Sequence, residues 1–202
     1  METLEKIFGS KAKVRIMRLF LFNPQKAFDI DDVAERSKTK KTQARKEINN
    51  LIKIGLVKQR SFTKEFTNSR QIKKKRVSGW VLEENFPFLS PLQNFLIHIP
   101  DSQNKEILEK IKKVGSIKLV IISGIFIQDW DSRIDILIVG DKIKKSHIQS
   151  TMSEIESEIG KELKYTFFET PDFLYRLGVC DKLIRDILDY PHKKMINKLE
   201  IL

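Results

Sequence analysis

Two sets of residues in this chain have the types and spacing to do chemistry. The first is a group of acids, Asp129, Asp131 and Asp135, shortly after Gly124. Paired carboxylates on a strand and its loop can hold two divalent ions about 4 Å apart, which clamp a phosphoryl group and its attacking oxygen. Arg133 stands between the last two acids and opposes that use. A divalent ion about 4 Å from one positive side chain is repelled by roughly 8 kcal/mol at an effective dielectric of 20. Asp129 and Asp131 fall in a connecting loop, where acids commonly form turns. His98, His147 and His192 are widely spaced and Cys180 is the single cysteine, so no zinc ligand set is encoded. Neither metal nor cofactor is expected.

The second set is basic. Between Arg36 and Arg76 there are fifteen Lys or Arg against two acids, Glu47 and Glu65, a segment charge of +13 in a chain of +11. The rest of the chain sums to −2. A surplus confined to one segment is the footprint of a polyanion binder, and nucleic acid is the first partner it suggests.

Helices and strands must position these cations. From Ser10, an N-cap, Val14, Met17 and Leu21 recur at helical spacing until Asn23-Pro24. A second helix starts at Asp29 and buries Ile30, Val33 and Ala34, with Asp31, Asp32 and Glu35 suited to its positive end. Residues 37–41 form a turn, and Thr39 caps a third helix with the apolar stripe Ala44, Ile48, Leu51 and Ile52, stopped by Gly55. Lys40, Lys41, Gln43, Arg45, Lys46, Asn49 and Asn50 lie outside the stripe. Residues 57–66 and 71–82 read as two strands joined at Thr67-Asn68-Ser69, decorated by Lys64, Arg70, Lys73, Lys74, Lys75 and Arg76.

Two short helices, the second ending in the pattern Leu51, Gly55, Leu56, Val57, and then a basic hairpin resemble the winged helix-turn-helix of bacterial and archaeal transcription regulators over residues 8–84. The resemblance implies that the third helix enters the major groove of double-stranded DNA and that the hairpin lies along the backbone. Gln43, Lys46 and Asn49 are then candidates for base edges, and the hairpin cations for phosphate. The predicted interface comprises Lys40, Lys41, Gln43, Arg45, Lys46, Asn49, Lys64, Arg70, Lys73, Lys74, Lys75 and Arg76.

Residues 85–101 read as a helical linker with a wide apolar face, Phe86, Phe88, Leu89, Leu92, Phe95 and Leu96, able to pack on the rest of the chain or on a second copy in a homodimer. From residue 102 the charge balances. The expected order is a helix to about residue 114, strands 118–123 and 134–139, a helix over about 144–160, a strand 163–168, then helices. This gives an α/β chain, α+β overall, with the nearly unbroken apolar strand 134–139 at the middle of a small mixed sheet. Phe167, Phe168, Phe173, Tyr175 and Leu177 read as core.

Ser123-Gly124-Ile125 followed by Asp131-Ser132-Arg133-Ile134-Asp135 resembles the minimal nucleotidyltransferase domain of the DNA polymerase beta superfamily, from about residue 105 to 202. Of the three carboxylates such a site requires, the resemblance matches Asp135 alone. Arg133 occupies the first ligand position, Lys164 the third, and Ile125 replaces a small phosphate-contacting residue. The implied degenerate site is Gly124, Arg133, Asp135 and Lys164, with no catalytic residue. Asp135 is expected to accept from Arg133 or a backbone amide, and Arg133 with Lys164 to hold a small anionic ligand without metal.

The chain thus reads as a DNA-binding transcription regulator, residues 1–84, joined by the linker to an inactive nucleotidyltransferase-like domain, residues 102–202, used for packing, dimerisation or ligand sensing. An active nucleotidyltransferase with a nucleic-acid-binding arm is the rival reading, and an assembly partner whose second half binds another protein is a third. No membrane span is expected, since the longest apolar run is far short of the roughly 20 residues required. With no signal-like N-terminus and one cysteine, a cytoplasmic location is expected.

Overall fold

The computed structural model describes residues 2–68 and 71–201, which form a mixed α/β chain of two compact units. The first contains Met1–Ile97 and Glu156–Lys161; the second, His98–Ile155 and Glu162–Leu202.

In the first unit, α1 (Glu2–Phe8), which the sequence reading did not anticipate, precedes α2 (Lys11–Phe22), α3 (Ile30–Arg36) and α4 (Lys41–Lys53). Ser10 caps α2, its hydroxyl accepting from the Lys13 N–H at 3.2 Å. Asp29 caps α3 in a reciprocal box: its Oδ1 accepts from the Asp32 N–H at 2.8 Å, and the Asp32 carboxylate accepts from the Asp29 N–H at 3.3 Å. Thr39 does not cap α4. Its Oγ1 shares a 2.7 Å hydrogen bond with the Ser37 hydroxyl and its N–H bonds the Ala34 carbonyl, so it completes the turn, and Lys40 becomes an N-cap without a side-chain bond. Gly55, at φ +78°, ends the helix in the left-handed region.

Strands β1 (Val57–Asn68) and β2 (Gln71–Leu82) pair antiparallel from Val57↔Leu82 to Asn68↔Gln71. The first strand therefore runs through Thr67 and Asn68, expected as turn; Ser69 lies outside the described residues. Mutual hydrogen bonds between Phe28 and Trp80, both 2.9 Å, attach the α3 entry to β2. Val14, Phe20, Ile48, Leu51, Leu56 and Leu82 share one buried core, which α5 (Leu89–Ile97) joins through Leu96. Ile52, expected in the stripe, is 39% exposed, and its place on the inward face is taken by Glu47, which is 5% exposed. The Ser10 hydroxyl donates to Glu47 Oε1 at 2.8 Å, so the cap of α2 also ties down α4.

The second unit contains α6 (Asp101–Ile111), β3 (Ser116–Ile122), β4 (Ile136–Asp141), most of α7 (Lys145–Ile159), β5 (Tyr165–Phe168), α8 (Thr170–Gly178), α9 (Lys182–Asp189) and β6 (Lys193–Asn197). Sheet order is β5-β4-β3-β6, parallel between β4 and β5 and antiparallel elsewhere. The apolar strand β4 is interior, as its unbroken burial requires. The closing strand β6 replaces the helix expected there: Met195 and Ile196 are too few to mark a strand by alternation, and pairing with β3 defines it. Leu119, Leu137, Val139, Phe173 and Ile184 form a core, whereas Tyr175, expected inside, is 71% exposed on α8. Among the described residues no helix is long and apolar enough to cross a membrane.

Candidate nucleic-acid interface

Helix α4 sorts its residues by face. Ala44, Glu47, Ile48 and Leu51 are buried, and Lys41, Thr42, Gln43, Arg45, Lys46, Asn49 and Lys53 are exposed, an outward surface with four cations and no acid. Lys41 pairs with Asp31 of α3 at 2.6 Å. Asn50 is half-buried and donates toward Glu47. Lys40, Arg45 and Lys46 have no ion-pair partner among the described residues.

Strand alternation divides the hairpin cations. Opposite residues of an antiparallel pair share a face, so Lys73 and Lys75 lie with Phe66 and Lys64, while Lys74 and Arg76 lie with Glu65 and Thr63. What reads as one block, residues 73–76, is two and two in space. Lys74 pairs across the strands with Glu65 at 3.1 Å. Lys73, Lys75 and Arg76 are exposed and without an ion pair among the described residues. Arg70 lies outside the described residues.

Lys64 has a different role from the one expected of it. Its ammonium donates to Asp29 Oδ2 and Asp32 Oδ1, both at 2.7 Å, so it is fixed to the cap of α3 and is not presented to a ligand. Burial alone would raise the Asp29 carboxyl, but hydrogen bonds from Lys64 and from the Asp32 and Asp31 N–H groups outweigh it, and Asp29 titrates below the ordinary range. Burial likewise would lower Lys64, and its two carboxylate partners reverse that and hold it above its ordinary value. The pair Asp29 and Asp32, at N-cap and N3 spacing, was legible as a helix start; that it would also receive a lysine from 32 residues away required the fold.

In the second unit the loop after β3 and the entry to β4 bring Gly124 and Asp135 together. Asp135 is 5% exposed, and its carboxylate accepts from two backbone amides, Ile125 N–H at 3.1 Å and Lys164 N–H at 2.8 Å. Its own N–H and C=O bond Lys164 O and Ser123 N–H. The side chain is a brace between the β3 loop and the approach to β5. Gly124 sits at φ +58°, and a Cβ there would stand 2.2 Å from Asp135 Oδ1, so the glycine admits the carboxylate. Arg133 does not meet Asp135; its Nη1 lies 2.5 Å from Asp186 Oδ2 on α9. The Lys164 ammonium donates at 3.4 Å to the Ser132 carbonyl. These four residues bring together one carboxylate, which accepts from two backbone amides, and two cations, a set that does not suit a metal ion. Nor do Arg133 and Lys164 form the expected anion cradle, because Arg133 is engaged by Asp186. Among the described residues no group of three or more His, Cys, Asp or Glu is placed to hold a metal ion. Asp186, which the sequence reading missed, lies in an amphipathic stretch with no motif to mark it.

Compared with known proteins, the chain matches no family model, no curated protein and no solved structure.

Proposed function

We propose that this protein is a DNA-binding transcription regulator whose first unit works as a winged helix-turn-helix, and that its second unit is a nucleotidyltransferase-like domain without catalytic activity. The observation that carries the reading is the outward face of α4, which offers Gln43, Arg45, Lys46 and Asn49 on a helix whose other face is locked into a core. Amide side chains can pair bidentately with adenine, and cationic ones with guanine, so such a face can read bases as well as bind charge. Lys73, Lys75 and Arg76 supply further cations for phosphate, which would give affinity with little preference. Lys64 is withdrawn from that role by Asp29 and Asp32.

The inactive reading of the second unit is supported by its charges: Asp135 already accepts from two backbone amides, and Arg133 and Lys164 stand where the resemblance calls for acids, so the positive charge there opposes metal ions. Selection of the full chain on a random duplex pool tests the regulatory reading: enrichment of a defined sequence is expected, and an unenriched pool after repeated rounds would reduce the protein to a non-specific polyanion binder.

A further inference from the structure

Burial fixes the direction in which α4 faces the rest of its unit. Ala44, Glu47, Ile48 and Leu51 are buried, and at about 100° per residue they cover roughly 100° of the helix circumference. The line directly opposite passes through Thr42, Lys46, Asn49 and Lys53, which lie within about 60° of one another. All four are exposed. Gln43 and Arg45 stand on opposite flanks, roughly 70–90° from the centre of that line. The flanks are partly engaged, since Lys41 is paired with Asp31 and Asn50 donates toward Glu47. Thr42, Lys46, Asn49 and Lys53 have no side-chain hydrogen bond or ion pair among the described residues.

Order and spacing along the line matter as much as exposure. At about 1.5 Å per residue, Thr42 and Lys46 are roughly 6 Å apart along the axis, and Lys46 and Asn49 about 4.5 Å. The total, about 10 Å, is the length of three base steps of about 3.4 Å. Each residue offers a different chemistry to a base edge. A threonine methyl suits the C5 methyl of thymine, an ammonium suits O6 and N7 of guanine, and a carboxamide can pair bidentately with N6 and N7 of adenine. Lys53, a further turn along, lies beyond that reach and suits a phosphate.

We propose that this line reads duplex DNA in a fixed order, with Thr42 as a specificity-determining residue for thymine, Lys46 for a guanine next to it and Asn49 for an adenine beyond. The three contacts would fall within about four base pairs, and Lys53 would hold the backbone. The inference rests on the proposed binding of duplex DNA by the first unit and adds to it the order of contacts and the methyl-reading Thr42. Gln43 and Arg45 then serve the edges of the same site.

Parallel selections from a random duplex pool with the full chain, Lys46→Gln, Asn49→Ala and Gln43→Ala test it, followed by affinity for the selected duplex with deoxyuridine in place of thymine. Deoxyuridine lacks only the C5 methyl. The parent should enrich thymine, guanine and adenine in a site of about four base pairs. Lys46→Gln should convert the guanine position to adenine, and Asn49→Ala should lower the preference for adenine about tenfold. Deoxyuridine should weaken the parent about threefold, and should leave Thr42→Ser, which keeps the hydroxyl and lacks the methyl, unaffected. At exposed positions without partners these substitutions should leave the melting temperature unchanged, so a lost preference reports recognition and not unfolding. If every variant enriches the parent's site and deoxyuridine costs nothing, the line does not read bases, and this inference falls while DNA binding by the first unit stands. Relaxation confined to Gln43→Ala would overturn it in favour of the flank. Salt-dependent binding without enrichment would overturn it too, and absence of binding to any duplex would remove the underlying reading with it.

Discussion

Lys64 and Lys75 face each other across the hairpin and look interchangeable in sequence, yet they have opposite prospects. Lys64 is held by two carboxylates at 2.7 Å, so Lys64→Ala should cost about 1–2 kcal/mol of stability while leaving the salt dependence of DNA binding unchanged. Lys75→Ala should do the reverse, leaving the melting temperature alone and reducing the salt slope by about 0.9. The clamp has its own pH signature. Asp29 is depressed in the folded state, so its contribution is present above the unfolded carboxyl value, about 3.9, and is lost as pH falls through the lower folded value. Lys64 is raised, so its contribution is present below about 10.4 and disappears only at higher pH. Thermal melts of the parent chain and Lys64→Ala should therefore differ by a constant amount from about pH 5 to 9 and converge below about pH 4. Gly124 and Asp135 offer a second test. A methyl at Gly124 meets Asp135 Oδ1 and a positive φ at once, so Gly124→Ala should destabilise by roughly 2–4 kcal/mol in denaturant titration. Asp135→Ala should destabilise as well, since two backbone amides would lose their acceptor.

Among the elements, the hairpin carries the strongest contrast between string and structure. A block of four cations at residues 73–76 is one feature in sequence, but a strand sends neighbours to opposite faces and Glu65 neutralises Lys74. Replacing Lys73, Lys75 and Arg76 together by Ala should lower the salt slope by about 2.7 and weaken unrelated duplexes alike, whereas Gln43→Ala should relax preference at particular bases, measured by anisotropy on a matched set of duplexes. Periodicity placed α2, α3, α4 and both hairpin strands, because each has a local signal: Ser10 and Asp29 as caps, Gly55 as stop, and apolar residues on one face. It failed where partners are distant. Nothing near Glu47 reports that Ser10 will bury it, although a lone acid on the apolar stripe of a basic helix was a hint. Strand β6 is defined by β3, and Arg133 by Asp186 on a helix more than 50 residues later. The outward face of α4 was legible except at Ile52, which is exposed, and at Asn50, which is half-buried and donates toward Glu47.

At the scale of the molecule, the first unit is not a contiguous stretch of chain. Residues 156–161 belong to it, and Glu158 provides an anchor: its carboxylate lies 3.2 Å from Arg15 Nη2, and its carbonyl accepts from Arg18 Nη1 at 2.8 Å. Burial lowers the Arg18 guanidinium to about 10, against the opposing pull of Glu158. Asn23 donates to the Gly160 carbonyl at 3.0 Å. A fragment ending at residue 97 would leave two buried arginines without these partners, and removing one side of a buried ion pair costs roughly 3–5 kcal/mol. That fragment should therefore melt well below the full chain in circular dichroism, and an equal melting temperature would show that residues 156–161 are dispensable. The proposed binding of duplex DNA by the first unit uses a handful of cations that have no ion-pair partner among the described residues. Affinity for duplex DNA measured against salt concentration addresses this most directly. With about five phosphates engaged, log affinity should fall with log salt at a slope near −4 to −5, and a slope near zero would contradict the assignment.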